Sequence, residues 1–221
     1  MIPRRGTTFF DDLALDRRRI HLDCDVTVAP GDDRRVLDLM TRGGIDAGLA
    51  VGATTGERWE RADRIDLSGA DADLVAEQAA AHGVRALRVA ALAARPGLAR
   101  RLAQRFVLLV EDDLVDVLST VRGIGARVVL LDHGYYRIDE FLAAARSEPG
   151  LVVSTRRWLG PESIETVCGE VGAHHLAFGS GIPLQDLEVS AWRLRDARVS
   201  DAEYERIAGG TLTNLLDAVP R

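Results

Sequence analysis

The chain has 221 residues, 47% of them hydrophobic and 28% charged, with a formal net charge of −6. This length fits one large domain or two small ones, and the negative charge argues against broad electrostatic binding to nucleic acid or an anionic membrane. All 28 basic residues are arginine, which excludes Schiff-base lysine chemistry, a carboxylated-lysine metal bridge and a P-loop lysine.

Short apolar, β-branched segments alternate with longer segments of helical pattern along the chain. Helical patterns lie between most of these segments; one of them has Asp71 as its predicted N-cap and Gly83 just past its end. More helix is predicted over residues 185–196, 201–208 and 211–217. The eight predicted strands cover residues 20–28, 46–51, 63–68, 86–92, 106–111, 127–133, 151–155 and 175–180.

Strands that are apolar throughout and separated by helices predict a parallel sheet covered on both faces. Eight such units favour an α/β protein with a closed (β/α)8 TIM barrel, and because barrels of about 250 residues are typical, this one is compact and could be distorted. An open doubly wound sheet is the alternative, but the first turn lacks the glycine-rich phosphate motif. We expect one domain over residues 1–221, with an N-terminal extension (1–19) and C-terminal helices (184–221).

Polar residues stand where the predicted strands end, which is the active face of a TIM barrel. Asp25 and Thr27 lie there on the first strand, Glu111 ends the fifth and His133 ends the sixth. Asp25 requires a partner or a function, because an unpaired buried carboxylate is costly; pairing with an arginine is the structural alternative. His133 precedes a Gly-Tyr-Tyr loop and suits acid–base chemistry, although a buried structural histidine is also consistent with its position.

From these positions we predict that Asp25, Glu111 and His133 are catalytic. Two further acidic residues, Asp112 and Asp113, are predicted to cap the helix that follows Glu111. The arginines after the seventh strand could clamp a substrate carboxylate or remain solvated loop charges. The predicted substrate-binding residues are Thr27, Tyr135, Arg156, Arg157, Trp158 and Ser180, and the other histidines (His21, His82, His174 and His175) are interpreted as structural.

Several segments resemble the amidohydrolase-related group of the metal-dependent hydrolase superfamily, in the branch with decarboxylases and small-lactone hydrolases. The segment "HLAFGSGIPLQDLEVSAWRLRDARVSDAEYERIAGGTLTNLL" is similar to the closing segment of that group, with a G-S-D-x-P loop after strand 8. The segments "RVVLLDHGYY", "GIDAGLAV" and "HGVRALRVAAL" resemble its sixth, second and fourth strands. The match spans residues 20 to 217 and implies a single amidohydrolase-like barrel domain.

The resemblance also implies a metal site, from which this chain departs. In the group, an H-x-H pair on strand 1, a histidine on strand 5 or 6 and the strand-8 aspartate hold a divalent ion. Here the pair is Asp25 and Thr27, the strand-5 position is Glu111, and the aspartate is Gly181; His133 alone keeps its type. We therefore expect no metal cofactor. If a cation binds, Asp25, Glu111 and His133 are its expected ligands.

Three functions remain open from the sequence. The first is a metal-free enzyme acting on a small polar or carboxylated molecule by acid–base chemistry, as a lyase, isomerase, cyclase or hydrolase, with secondary metabolism as the expected setting. The second is a pseudoenzyme that serves as a binding or partner module. The third is a metal-dependent hydrolase or decarboxylase with an unusual Asp/Glu/His ligand set.

The expected partner is a small-molecule substrate or ligand, without nucleic acid or membrane, and a homodimer is consistent with the behaviour of this group. No apolar run approaches the ~18 residues that span a bilayer, and the first residues lack a signal-peptide core. A cytoplasmic location is therefore expected. Cys24 and Cys168 are too few for a disulfide framework and are expected to be reduced.

Overall fold

The computed structural model describes residues 18–52 and 58–219, and most of the predicted N-terminal extension lies outside them. Eight parallel strands form one sheet in which each strand pairs with the next in chain order. The strands are β1 (Ile20–Thr27), β2 (Ile45–Val51), β3 (Trp59–Asp66), β4 (Ala86–Ala90), β5 (Val107–Val110), β6 (Val128–Leu130), β7 (Leu151–Ser154) and β8 (Leu176–Ala177).

The sheet closes into a barrel between β1 and the segment that follows β8. Cys24 N–H donates to Phe178 O over 2.8 Å, and Thr27 N–H donates to Ile182 O over 2.9 Å. These bonds confirm the predicted (β/α)8 TIM barrel. The alternative prediction, an open doubly wound sheet, is wrong. The closure is irregular because β8 has only two residues, so that most of the joining bonds come from the loop after it.

Helices follow most of the strands and surround the barrel. After β1 comes α1 (Asp33–Arg42), after β3 α2 (Ala72–Ala81), after β4 α3 (Pro96–Arg105), after β5 α4 (Leu114–Val121), after β6 α5 (Ile138–Ala145) and after β7 α6 (Ser163–Glu170). The chain ends with α7 (Leu187–Asp196), α8 (Asp201–Glu205) and α9 (Thr211–Asp217), which confirms the predicted C-terminal helices. In the described part of the chain, no helix is long and apolar enough to cross a membrane.

Alternate residues along the strands face two separate apolar layers, as the two-residue period of a strand requires. Residues such as Leu108 and Val110 pack outward against the helices, whereas Ala62, Ala86 and Leu109 belong to a cluster inside the barrel. Side chains of α9 join this inner cluster from the amino end of the strands. The inward-facing positions beyond the inner cluster are therefore the ones that reach the carboxyl mouth of the barrel.

Candidate active site

At the carboxyl mouth, Asp25 is held between two guanidinium groups. Its Oδ1 accepts a hydrogen bond from Arg88 Nη1 at 3.0 Å, and its Oδ2 accepts one from Arg156 Nη1 at 2.9 Å. The three residues are 2%, 7% and 8% exposed. The predicted structural alternative for Asp25, pairing with an arginine, is therefore present, and both of its oxygens are engaged.

The two arginines connect Asp25 to further carboxylates around the mouth. Arg88 also donates to Thr27 Oγ1 at 3.2 Å and forms an ion pair with Glu111. Arg156 lies 3.5 Å from Asp132, and the same carboxylate accepts from Arg157 Nε at 2.9 Å. We call Asp25, Arg88, Glu111, Asp132, Arg156 and Arg157 the arginine–carboxylate cluster.

Gly181 leaves the space that Arg156 fills. Its φ of +72° lies in the left-handed region, and a Cβ atom added there would stand 2.9 Å from Arg156 Nε and 3.0 Å from Arg156 Cδ. A side chain at position 181, such as the aspartate of the G-S-D-x-P pattern, would collide with the arginine. The guanidinium group and a side chain at this position are thus mutually exclusive in the observed arrangement.

The donor set does not fit a divalent metal ion. Within residues 18–52 and 58–219, no three His, Cys, Asp or Glu side chains come together in a way that could hold a metal. Asp25 gives both oxygens to cations, and Glu111 is paired with Arg88. A metal ion would have to displace these guanidinium groups from a mostly buried site.

His133 does not join Asp25 and Glu111, contrary to the convergence expected from the sequence. Its Nε2 lies 3.0 Å from Arg137 O, and its ring centroid is 6.0 Å from that of Phe141 on α5. Burial lowers the pKa of His133 from its usual value, and the main charges that act on it, those of Arg137, Glu140 and Asp113, lie outside the cluster. The histidine faces the helix layer because β6 ends at Leu130, so the alternation of the strand no longer fixes its direction.

Two of the predicted substrate-binding residues, Trp158 and Ser180, are buried and make hydrogen bonds within the protein. Trp158 is fully buried, its ring centroid lies 5.6 Å from that of Phe141, and its Nε1 donates to His133 O at 2.9 Å. Ser180 is also fully buried, and its hydroxyl donates to Asp23. Neither side chain is accessible to a substrate in this structure, so the prediction that they contact one gains no support.

The other predicted residues at the mouth keep some contact with solvent. Tyr135 is 44% exposed, and its ring lies against Gly160, where an added Cβ would be 2.3 Å from Tyr135 Cδ2. The side chain of Arg157 is 43% exposed, and Thr27 is half-buried. These three residues line the part of the mouth that a ligand could reach.

The three acidic residues after β5, Glu111, Asp112 and Asp113, have different partners. Asp113 caps α4 by accepting from Val115 N–H at 2.9 Å, as predicted. Asp112 instead accepts from the Ala91 and Leu92 N–H groups, so its prediction as a cap of α4 is wrong. Partial burial alone would raise the pKa of Glu111, but the hydrogen bond and charge of Arg88 hold that pKa below its usual value.

Asp23, which is buried beneath the site, links β1 to the loop after β8. Its carboxylate accepts from Asp25 N–H at 2.9 Å, from Ser180 N–H at 3.0 Å and from the Ser180 hydroxyl. The bonds tie β1 to the loop after β8. Complete burial, only partly offset by the bonds from Ser180 and the Asp25 N–H, raises the pKa of Asp23 to about 7.

The sequence analysis missed Arg88, the residue that joins three of the predicted site positions. It lies within the apolar run of β4, which predicts a buried strand, and its long side chain reaches across the mouth to β1. The available signal was its burial in that strand: a buried guanidinium requires a partner for the same reason as Asp25.

A cavity of about 690 Å3 lies away from the cluster, near the amino ends of β3, β4 and β5. Its lining includes Glu60, Arg85, Phe106 and Val219, and no residue of the arginine–carboxylate cluster contributes to it. At the mouth of the barrel, Asp25, Arg88 and Arg156 are almost completely buried, so a ligand there would meet the more exposed rim of the cluster.

Replacing Asp25 by alanine is expected to destabilise the fold. Removal of one partner leaves buried charge uncompensated, and such changes cost about 3–5 kcal/mol. Glu170→Ala is the control, because it removes a carboxylate that pairs with Arg146 at the surface and should change the free energy of unfolding by less than about 1 kcal/mol. Urea unfolding of both variants measures the difference; equal effects would contradict the structural role of Asp25.

A second prediction concerns the dependence of stability on pH. The pKa of Asp23 is about 7 in the folded protein, against an ordinary value of 3.8. Between these values the unfolded chain loses the proton and the folded chain keeps it, so the free energy of unfolding falls as pH rises toward about 7. Asp23→Asn should lack this fall. Urea unfolding from about pH 4.5 to 8 tests it, and identical pH profiles would refute it.

Comparisons with known proteins identify the fold. No family model matches the sequence, and no curated protein matches it significantly. The uncharacterized TIM-barrel protein Bb4693 from Bordetella bronchiseptica superposes with a TM-score of 0.71 at 12% identity, over 90% of this chain and 99% of that chain.

Two decarboxylases are also similar in structure. A dihydroxybenzoic acid decarboxylase from Polaromonas sp. JS666, with bound manganese and the inhibitor 2-nitroresorcinol, has a TM-score of 0.51 at 14% identity, over 92% of this chain and 98% of that chain. The 2,6-dihydroxybenzoate decarboxylase from Rhizobium has a TM-score of 0.52 at 10% identity, over 90% and 99%. The chain therefore shares the TIM-barrel fold of these proteins, which confirms at the level of fold the resemblance predicted from its sequence.

Proposed function

We propose that this protein is a metal-independent TIM-barrel enzyme that binds a small carboxylated molecule at the mouth of the barrel and acts on it by proton transfer. The observation that carries the proposal is the position of Arg156, whose guanidinium group fills the space beside Gly181 and pairs with Asp25. A barrel of the same fold holds manganese and acts on a dihydroxybenzoic acid. In this chain, fixed guanidinium groups would supply positive charge at the mouth.

The accessible carboxylate in this arrangement is Glu111. Its side chain is 29% exposed, whereas Asp25 is almost completely buried. Because Arg88 lowers the pKa of Glu111, the group is ionised at neutral pH and can accept a proton from a ligand. We therefore assign proton acceptance to Glu111 and ligand contacts to Thr27, Tyr135 and Arg157.

This division favours lyase or isomerase chemistry over hydrolysis. Metal-dependent hydrolases activate water by lowering its pKa on the ion, and the donor set here does not fit such an ion. His133, the other predicted base, lies against Phe141. Glu111 remains as the ionised carboxylate that can reach a ligand and accept a proton from it.

Carboxylate binding without metal tests the proposal. We expect at least one of benzoate, 2,6-dihydroxybenzoate, malonate and succinate to bind by calorimetry at low salt, with the same affinity before and after chelator treatment. The matched amides should bind at least about tenfold more weakly, because they lack the charge that pairs with arginine. Elemental analysis of the purified protein accompanies the titrations.

Two results would overturn this function. One is near-stoichiometric zinc or manganese together with loss of ligand binding after chelation. The other is failure of every carboxylate in the set to bind better than its amide. Either outcome would remove the basis for anion recognition by the arginines.

A binding protein without catalysis is the second candidate, and the saturation of the cluster favours it. Asp25, Glu111 and Asp132 are all paired with arginines, so none is an uncommitted base. In that case the mouth would recognise a carboxylate and leave it unchanged.

Glu111→Gln distinguishes the two candidates. If Glu111 accepts a proton, the variant should bind the carboxylate but lose turnover by about 100-fold or more, followed as consumption of ligand or as hydrogen–deuterium exchange into it. Glu140→Gln is the control, since Glu140 is a carboxylate that also pairs with an arginine, Arg137. Binding by the wild type without any turnover or exchange would favour the binding protein.

A further inference from the structure

We infer that Arg64, which the sequence analysis did not select, is the residue that receives the carboxylate of the ligand. This inference rests on the proposed function and deepens it by naming the cation at which recognition begins. From the sequence, Arg156 and Arg157 after β7 were the candidates for binding the substrate carboxylate, and Arg64 takes that role here.

The position of Arg64 follows from the register of the sheet. Arg64 on β3 is the direct partner of Arg88 on β4. Two residues earlier, Ala62 and Ala86 both belong to the cluster inside the barrel, and side chains two apart on a strand face the same side. Arg64 therefore faces the inner side of the barrel at its carboxyl mouth, next to Arg88.

The other arginines of the mouth are already committed to carboxylates. Arg88 binds Asp25 and Glu111, and its Nη1 also contacts Thr27. Arg156 and Arg157 share Asp132, and Arg156 also binds Asp25. A ligand carboxylate at any of these groups would compete with a carboxylate of the protein that is fixed in place.

Among the residues that the structure describes, Arg64 has no such commitment. The residue is exposed, and no hydrogen bond or ion pair joins its guanidinium to another residue within 18–52 or 58–219. Its charge acts on Glu111 and on Asp66, and Asp66 already accepts bonds from the N–H and hydroxyl of Ser68. The planar fork of the guanidinium is thus available for two parallel hydrogen bonds to a carboxylate.

This placement sets the orientation of the ligand. Arg64 on β3 and Glu111 after β5 flank Arg88 on β4, and the charge of Arg64 influences the Glu111 carboxyl. A small molecule anchored by its carboxylate at Arg64 would present its remaining atoms toward Glu111. The substrate class is therefore a compact monocarboxylate or dicarboxylate with an acidic position close to its carboxylate.

The test measures carboxylate affinity in two arginine variants of the same strand. Arg64→Gln should weaken binding of benzoate or succinate, whichever the wild type binds, by about tenfold to a hundredfold, as expected for a lost charge-assisted pair. Arg61→Gln is the matched control: Arg61 is exposed on the opposite side of β3 and pairs with Asp63 at 2.7 Å. Its affinity should equal that of the wild type. Arg64→Lys should be intermediate, because lysine lacks the fork.

The outcomes separate this inference from the function on which it rests. Wild-type affinity in Arg64→Gln together with weakened binding in Arg157→Gln would overturn the inference and leave carboxylate binding intact. Equal losses in Arg64→Gln and Arg61→Gln would also overturn it, because they would reflect net charge alone. If the wild type binds none of the carboxylates, the proposed function fails and the inference fails with it.

Discussion

The buried carboxylate of Asp25 between the guanidinium groups of Arg88 and Arg156 is the interaction on which the rest of the mouth depends. Burying three charged groups is costly unless each finds a partner, and both oxygens of Asp25 are used. The two arginines have further N–H groups that need acceptors. Glu111 and Asp132, which follow neighbouring strands, pair with them. The two ion pairs of Asp25 are thereby linked to carboxylates around most of the circumference of the site.

The same interaction constrains the backbone that closes the barrel. Arg156 occupies the volume next to Gly181, so this position must lack a side chain. Gly181 N–H donates to Asp25 O at 3.0 Å, and Ser180 donates to Asp23. Because β8 is too short to pair with β1 along its length, these local bonds take over the closure. The loop after β8 therefore joins the two ends of the sheet.

The architecture was predictable because it depends on features that a sequence displays directly. Eight apolar runs separated by helices suffice to indicate a parallel barrel, and the burial of Asp25 in such a run indicated a partner. The partner itself was not predictable, since Arg88 reaches Asp25 across the barrel from a strand 63 positions away in sequence. The direction of a side chain that follows a strand, such as that of His133, cannot be predicted from the sequence either. The alternation of side chains that would predict it ends with the strand.

Guanidinium groups at the mouth of a barrel offer different chemistry from that of a bound metal ion. An ion offers an open coordination position and activates water. A guanidinium group offers fixed hydrogen bonds and charge, and it cannot lose its proton. When the cations are built into the chain, their positions are set by the carboxylates that pair with them, and only a cation left without such a carboxylate can recognise an anion from solution. Within the part of the chain that the structure describes, Arg88 and Arg156 are paired with Asp25, and the proposed role in anion recognition therefore goes to Arg64, outside the cluster.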